Sequence, residues 1–122
     1  MVKSFLIVGI GGALGTILRF TTTKLLASYQ LHFPIATFAV NIIGCFLIGL
    51  FLGLAEKNEW MQGNMLLLLV TGFCGGFTTF SAFAVENVVL LEKQFFSTAL
   101  LYSLISLVLG ILACKGGFLL AK

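Results

Sequence analysis

Apolar residues run along this chain in four long stretches, each closed by a short polar interval. The first extends from Phe5 to about Leu26. The second opens after Pro34, a residue suited to the first turn of a helix, and reaches about Ala55. Glu56, Lys57, Asn58 and Glu59 mark the turn that follows. A third stretch covers Asn64 to about Leu91, Glu92 and Lys93 form the next loop, and the fourth stretch runs from about Phe95 to Leu120. Each approximates the ~20 residues an α-helix needs to cross a bilayer, so the pattern predicts four transmembrane helices. The middle of the third is irregular: in TGFCGGFTTFSAF, Gly72, Gly75 and Gly76 precede two threonines, the combination least able to hold a regular helix. A break is predicted there.

Composition turns that pattern into a protein class. Of 122 residues, 60% are hydrophobic and 9% charged, where a soluble domain carries ~25% charged residues, and the mean hydropathy is +1.16. Such a surface cannot face water, and the four spans leave no room for a soluble catalytic domain. The net charge of +3 belongs to membrane flanks rather than to a nucleic-acid patch. Lys3 ahead of an apolar run imitates a signal peptide, but no small-residue cleavage site follows, and Gly11 and Gly15 in GIGGALG form a surface made for close helix contact. Cys45, Cys74 and Cys114 each fall within a span, where cysteines act more often as small hydrophobes than as ligands. There is no CxxC and no HExxH, and the single histidine, His32, sits in a predicted loop beside Pro34. A zinc site or a histidine-based nucleophile system therefore has no material, and the chain does not read as an enzyme.

Orientation signals are balanced. Lys3, Lys57, Lys115 and Lys122 share one side of the membrane and Arg19, Lys24 and Lys93 the other, so the positive-inside rule gives no firm direction. A chain that inserts both ways can build an antiparallel two-fold dimer. Because a four-helix bundle fills its own centre with side chains, a water-accessible path forms more easily between two copies than within one.

The interior polar groups carry the candidate chemistry. A broken helix exposes backbone groups that each cost several kcal/mol if they face lipid, so the break must be buried, line a cavity or hold an ion. If two inverted copies cross at this point, two carbonyls from each supply four hard oxygens, a small cation site of the kind broken membrane helices use for sodium. A glycine hinge packed against its neighbour without an ion is the alternative. Asn41, in ATFAVNIIGCFLIG, is either glue between helices, worth ~0.6 to 2 kcal/mol, or a pore-lining amide. Phe80 and Phe83, among thirteen phenylalanines, share one helix face just past the break, where the positive edges of their rings can receive an anion without trapping it. Thr98, Tyr102 and Ser106 recur every four residues as a hydroxyl stripe, with Ser103 close by. Such hydroxyls can replace an anion's hydration water or bond to their own helix backbone. Arg19 lies about 21 Å along its helix from Phe5 at ~1.5 Å per residue, near the interface, where it can form an anion-attracting vestibule. Glu86, toward one end of the third span, is placed to neutralise a basic neighbour or to gather hydrogen bonds at a mouth, not to relay protons.

Together, GGALGTILRF (11–20), ATFAVNIIGCFLIG (36–49) and GFCGGFTTFSAF (72–83) resemble, in order and spacing, the signatures of the small Fluc/CrcB fluoride channels, and the likeness covers essentially the whole chain. The resemblance implies an all-α membrane protein of four transmembrane helices with a broken third helix, assembled as an antiparallel, dual-topology homodimer in the plasma membrane. It implies two fluoride pathways, a central structural sodium ion that is not transported, and passive export that protects a microbial cell from fluoride. By the same resemblance, Gly75 and Thr78 give the sodium-binding carbonyls. Asn41, Phe80, Ser81, Phe83, Tyr102 and Ser106 belong to the fluoride pathway, with Arg19 and Glu86 at supporting polar positions. Departures are mild: Phe20 stands where tyrosine is frequent, Ala36 where glycine is, and Gly110 where the polar track can carry another hydroxyl. The last leaves the length of that track open. A small antiparallel proton-coupled multidrug exporter is the main rival, but it wants a mid-membrane carboxylate, which the first span lacks. A non-transporting assembly subunit is the second.

Overall fold

The computed structural model describes residues 1–29 and 33–122, so the predicted loop position of His32 lies outside the described residues. All regular structure among them is helical: α1 (Val2–Leu26), α2 (Ile35–Lys57), a 3-10 turn (Glu59–Met61), α3 (Asn64–Leu66), a π-helical stretch (Leu67–Cys74), α4 (Gly75–Phe77), α5 (Phe80–Glu92) and α6 (Phe96–Leu120). Four segments are long and apolar enough to cross a membrane: Val2–Leu26, Ile35–Lys57, Asn64–Glu92 and Phe96–Leu120. The protein is therefore an all-α, multi-pass membrane protein, and every span lies within one helical turn of the bounds set by hydropathy. Pro34 sits at the N-cap of α2 rather than inside its first turn, and its carbonyl accepts the Phe38 amide.

Two seams of glycine join the spans. On the first, α1 lies against the π-helical stretch and α4. A Cβ at Gly11 would overlap the Leu68 carbonyl, and one at Gly15 would overlap that of Phe73. From the other side, Gly72 meets the Val8 carbonyl and the Gly11 Cα, and Gly76 meets the Gly12 carbonyl. The second seam joins α2 to α6, where Gly49 faces the Cys114 carbonyl and Gly117 that of Phe46. Small residues at such crossings let backbones approach and gain dispersion contacts where no hydrophobic force between helices is available.

This arrangement changes the role expected of the glycine cluster. Gly72, Gly75 and Gly76 all have helical backbones, and it is Thr78 (φ −86°, ψ 157°) and Thr79 (φ −152°, ψ 117°) that are extended, between the end of α4 and the start of α5. Gly72 and Gly76 are taken up by contact with α1, whereas Gly75 is exposed. Thr79 then restarts the helix as its N-cap, its hydroxyl accepting the Ala82 amide at 3.1 Å.

At its other end α5 closes in a Schellman motif. The Phe95 amide bonds to the Leu90 carbonyl and the Gln94 amide to that of Leu91, with Gln94 at a left-handed φ of 64°. Close to that end, Leu90, Ala99 and Tyr102 form a small core flanked by Phe33, Phe38 and Phe83. No more than 22% of the most apolar stretch of any span is buried within the chain, so most of its surface must meet lipid or another protein copy.

Candidate functional site

The extended pair Thr78–Thr79 is the focus of the polar contacts. Asn41, in the second turn of α2, bonds to one residue's backbone in both directions: its Nδ2 donates to the Thr79 carbonyl at 3.1 Å, and its Oδ1 accepts the Thr79 amide at 2.7 Å. An amide side chain is suited to this because it carries a donor and an acceptor side by side, as the peptide unit does. Gly44, three residues on, leaves space for the Thr78 methyl, which a Cβ there would strike. Of the two readings open for Asn41, interhelical bonding is thus observed, and the residue also lines a cleft.

That cleft, of about 320 Å³, opens on the flank of the chain beside the extended pair. Asn41 and Cys45 of α2 form one wall, Ser103 and Ser106 of α6 another, and Thr78, Thr79, Phe80 and Phe83 complete it, with Ile48 and Leu107 adding apolar surface. Phe80 is 79% exposed in the single chain, so its ring projects outward from the bundle. Its centroid stands 5.8 Å from that of Phe83, with the planes tilted by 36°.

The hydroxyl stripe of α6 divides between two tasks. Ser106 faces the cleft, and its buried Oγ has no hydrogen-bond partner among the described residues. Tyr102 is fully buried behind the cleft: its hydroxyl donates to Glu86 Oε1 at 3.0 Å, and its ring packs 5.0 Å from Phe83 and 5.2 Å from Phe33. Thr98 is half-buried and is not part of the cleft wall. Ser103 reaches α5, donating to Asn87 Oδ1 at 3.1 Å. Ser81 is exposed, its Oγ 3.1 Å from Thr79 Oγ1 at the start of α5.

The two charged candidates also act on the third span. Glu86 gathers hydroxyls: Thr37 Oγ1 donates to its Oε2 at 2.7 Å, opposite the bond from Tyr102. Arg19 Nε donates to the Gly76 carbonyl at 2.9 Å, near the C-terminal end of α4, so the guanidinium meets the negative end of a helix segment.

The backbone oxygens around the extended pair can be assigned one by one. The Cys74 carbonyl accepts both the amide and the hydroxyl of Thr78, that of Gly76 accepts Arg19, and that of Thr79 accepts Asn41. The carbonyls of Gly75, Phe77 and Thr78 accept no hydrogen bond from the described residues. Phe77 is buried, whereas Gly75 is exposed and Thr78 half-buried, so Gly75 and Thr78 are the residues whose uncommitted carbonyl oxygens, of the hard type, suit a small cation. Among the described residues no group of three or more His, Cys, Asp or Glu could hold a metal ion.

Thr37, Asn87 and the capping role of Thr79 were not singled out from the sequence, and Ser103 was noted only as lying close to the hydroxyl stripe. A signal for Thr37 exists in its spacing: it precedes Asn41 by four residues and shares its helix face. Thr79 has the residue type and position of an N-cap ahead of an apolar run.

These features define a small multi-pass membrane protein with a polar cleft beside an irregular third span. The family described as CrcB-like protein, Camphor Resistance (CrcB), matches residues 6–118, and the chain belongs to that family. It is 42% identical to the fluoride-specific ion channel FluC of Azobacteroides pseudotrichonymphae across 100% of this chain and 98% of that protein. It is 45% identical to the protein of the same name from Flavobacterium psychrophilum across 98% of each chain. It is 41% identical to that from Ignicoccus hospitalis across 98% of this chain and 96% of the relative. The relatives carry the name of an ion channel, not of an enzyme.

Proposed function

We propose that this protein is a fluoride-selective channel of the plasma membrane that lets fluoride leave the cell passively and so protects it from fluoride toxicity. The observation that carries the reading is the flank cleft. Donor and aromatic-edge groups converge there on an outer surface of the single chain, at the one point where the third span departs from helix. A second, inverted copy laid across the extended pair encloses that surface and yields two equivalent pathways, one per cleft. Relatives named as fluoride-specific channels support fluoride as the permeant ion.

In this reading the third helices are broken at Thr78–Thr79 and cross at the dimer centre. Gly75 and Thr78 of each copy direct their free carbonyls there and hold a structural sodium ion, which supplies fixed positive charge and is not transported. Asn41 fixes the extended backbone, and Arg19 keeps the Gly76 carbonyl occupied elsewhere. Fluoride sheds much of its hydration in the narrow path and regains contacts from Ser106 and from the ring edges of Phe80 and Phe83. Tyr102, Glu86 and Thr37 hold Phe83 from behind. Several weak contacts, rather than one strong one, let the ion leave again. Chloride, larger and a poorer hydrogen-bond acceptor, is refused by width and by closely spaced donors.

The test is efflux from liposomes loaded with fluoride or chloride, read with ion-selective electrodes. Rapid fluoride loss with negligible chloride loss is expected, and equal rates would sink the proposal. Phe80→Ile and Phe83→Ile should each cut flux sharply while the dimer stays folded. Exchange of sodium for a bulky organic cation should lower both flux and the thermal stability of the dimer. Full retention of both removes the sodium site.

A further inference from the structure

Most polar groups of the cleft are already committed. Asn41 and Thr79 satisfy each other, Ser103 donates to Asn87, and Thr78 returns its hydroxyl to the Cys74 carbonyl. Two groups remain. Ser106 Oγ is the one buried side-chain oxygen or nitrogen without a hydrogen-bond partner among the described residues. The other is the free, half-buried thiol of Cys45, which lines the same cleft. Cys45 follows Asn41 by four residues and so continues the same face of α2 by one turn.

Opposite it the stripe on α6 ends. Gly110 follows Ser106 by four residues, is buried, and has no side chain to offer. Among the described residues, and apart from the neighbouring backbone of α6, the one atom within 4 Å of a Cβ built there is Cys45 Sγ, at 3.6 Å. The thiol from α2 therefore stands over the place where α6 stops supplying polar atoms.

We propose that Cys45, which shares the cleft with Ser106, is the next hydrogen-bond donor a permeating anion meets after Ser106, one turn of α2 past the level of Asn41, so that the polar track passes at this point from α6 to α2. The inference rests on the reading of the protein as a fluoride channel. A thiol is a weak donor, so it holds an anion loosely, as a conducting path requires. The same placement makes Cys45 the point at which a small thiol reagent closes the path. The Cys45 thiolate attacks the sulfenyl sulfur of methyl methanethiosulfonate, a disulfide bond forms, methanesulfinate leaves, and the thiol proton passes to solvent. A methylthio group then stands in the cleft. Cys74 is fully buried, and Cys114 does not line the cleft but a separate pocket with Lys115 and Phe118.

The experiment uses full-length protein with Cys74→Ala and Cys114→Ala, reconstituted in liposomes and assayed for fluoride efflux before and after the reagent, with labelling followed by mass spectrometry. Modification of Cys45 should lower flux about tenfold or more and should slow in saturating fluoride. Added Cys45→Ser, which keeps a donor at this place, should ignore the reagent and keep more flux than Cys45→Ala, which should lose about threefold to tenfold, the scale of one weak donor. Complete labelling with unchanged flux, no labelling of the folded protein, or Cys45→Ala conducting as well as Cys45→Ser would each overturn the proposal. Wild-type protein that passes no fluoride overturns the channel reading itself, and the track with it.

Discussion

Replacing Asn41 by alanine removes both bonds that hold the Thr79 backbone, at 3.1 and 2.7 Å, and no other group described at the extended pair takes their place. Two interhelical bonds at the membrane average of ~0.6 kcal/mol set a floor near ~1 kcal/mol. Stranding a buried amide and carbonyl costs about 1–3 kcal/mol each, but the site is only partly buried, so a destabilisation of about 2 kcal/mol is expected. On that scale an open arrangement of the Thr78–Thr79 segment gains about thirtyfold in population. Asn41→Asp keeps the acceptor for the Thr79 amide but sets an oxygen against the Thr79 carbonyl, so it should retain less than half of the lost stability. The assays are denaturant unfolding in detergent and fluoride efflux from liposomes. Flux should fall at least about tenfold for Asn41→Ala, because Phe80 is the residue next to Thr79 and loses its fixed direction. Unchanged unfolding and flux would show that the extended pair is held by something other than this amide.

Four further outcomes rest on the packing, the side-chain bonds and the backbone. Gly15→Leu should cost at least about 3 kcal/mol and abolish recovery of folded protein, because the added side chain meets the Phe73 backbone. Gly116→Ala, with open space around it, should stay within about 0.5 kcal/mol of wild type in the same unfolding measurement. Tyr102→Phe and Thr37→Val each remove one donor to Glu86 and should each cost about 1 kcal/mol, with a non-additive double variant in a thermodynamic cycle. Gln94→Gly should raise stability by about 1 kcal/mol, since glycine adopts the left-handed C′ position without strain, and a lower melting temperature would contradict that.

The four spans were legible because lipid imposes a length and a polarity that hydropathy reads directly. The irregularity of the third span was legible in kind but not in detail. Low helix propensity pointed to Gly72, Gly75 and Gly76, yet that propensity reflects solvated helices, and here Gly72 and Gly76 stay helical because α1 presses close on them. The π-helical stretch Leu67–Cys74 has no signature in its apolar run. The stripe of Tyr102 and Ser106 was read as one surface, but four residues of α-helix overshoot a full turn by about 40°, enough for one hydroxyl to face Glu86 and the other the cleft. The four-residue step from Thr37 to Asn41 places Thr37 on a polar face, but its bond to Glu86 on a different span is a relation that such spacing does not encode.

The two glycine seams and the polar bonds divide the molecule mechanically. α5 contains no glycine and is fastened to its neighbours by removable latches: Asn41 at its entrance, Thr37 and Tyr102 on Glu86, and Ser103 on Asn87. The seamed helices form a stiff chassis, while the aromatic-bearing helix can be re-aimed by exchanging single polar groups. In the channel proposed above, ion preference is thus open to gradual adjustment without rebuilding the frame that carries it.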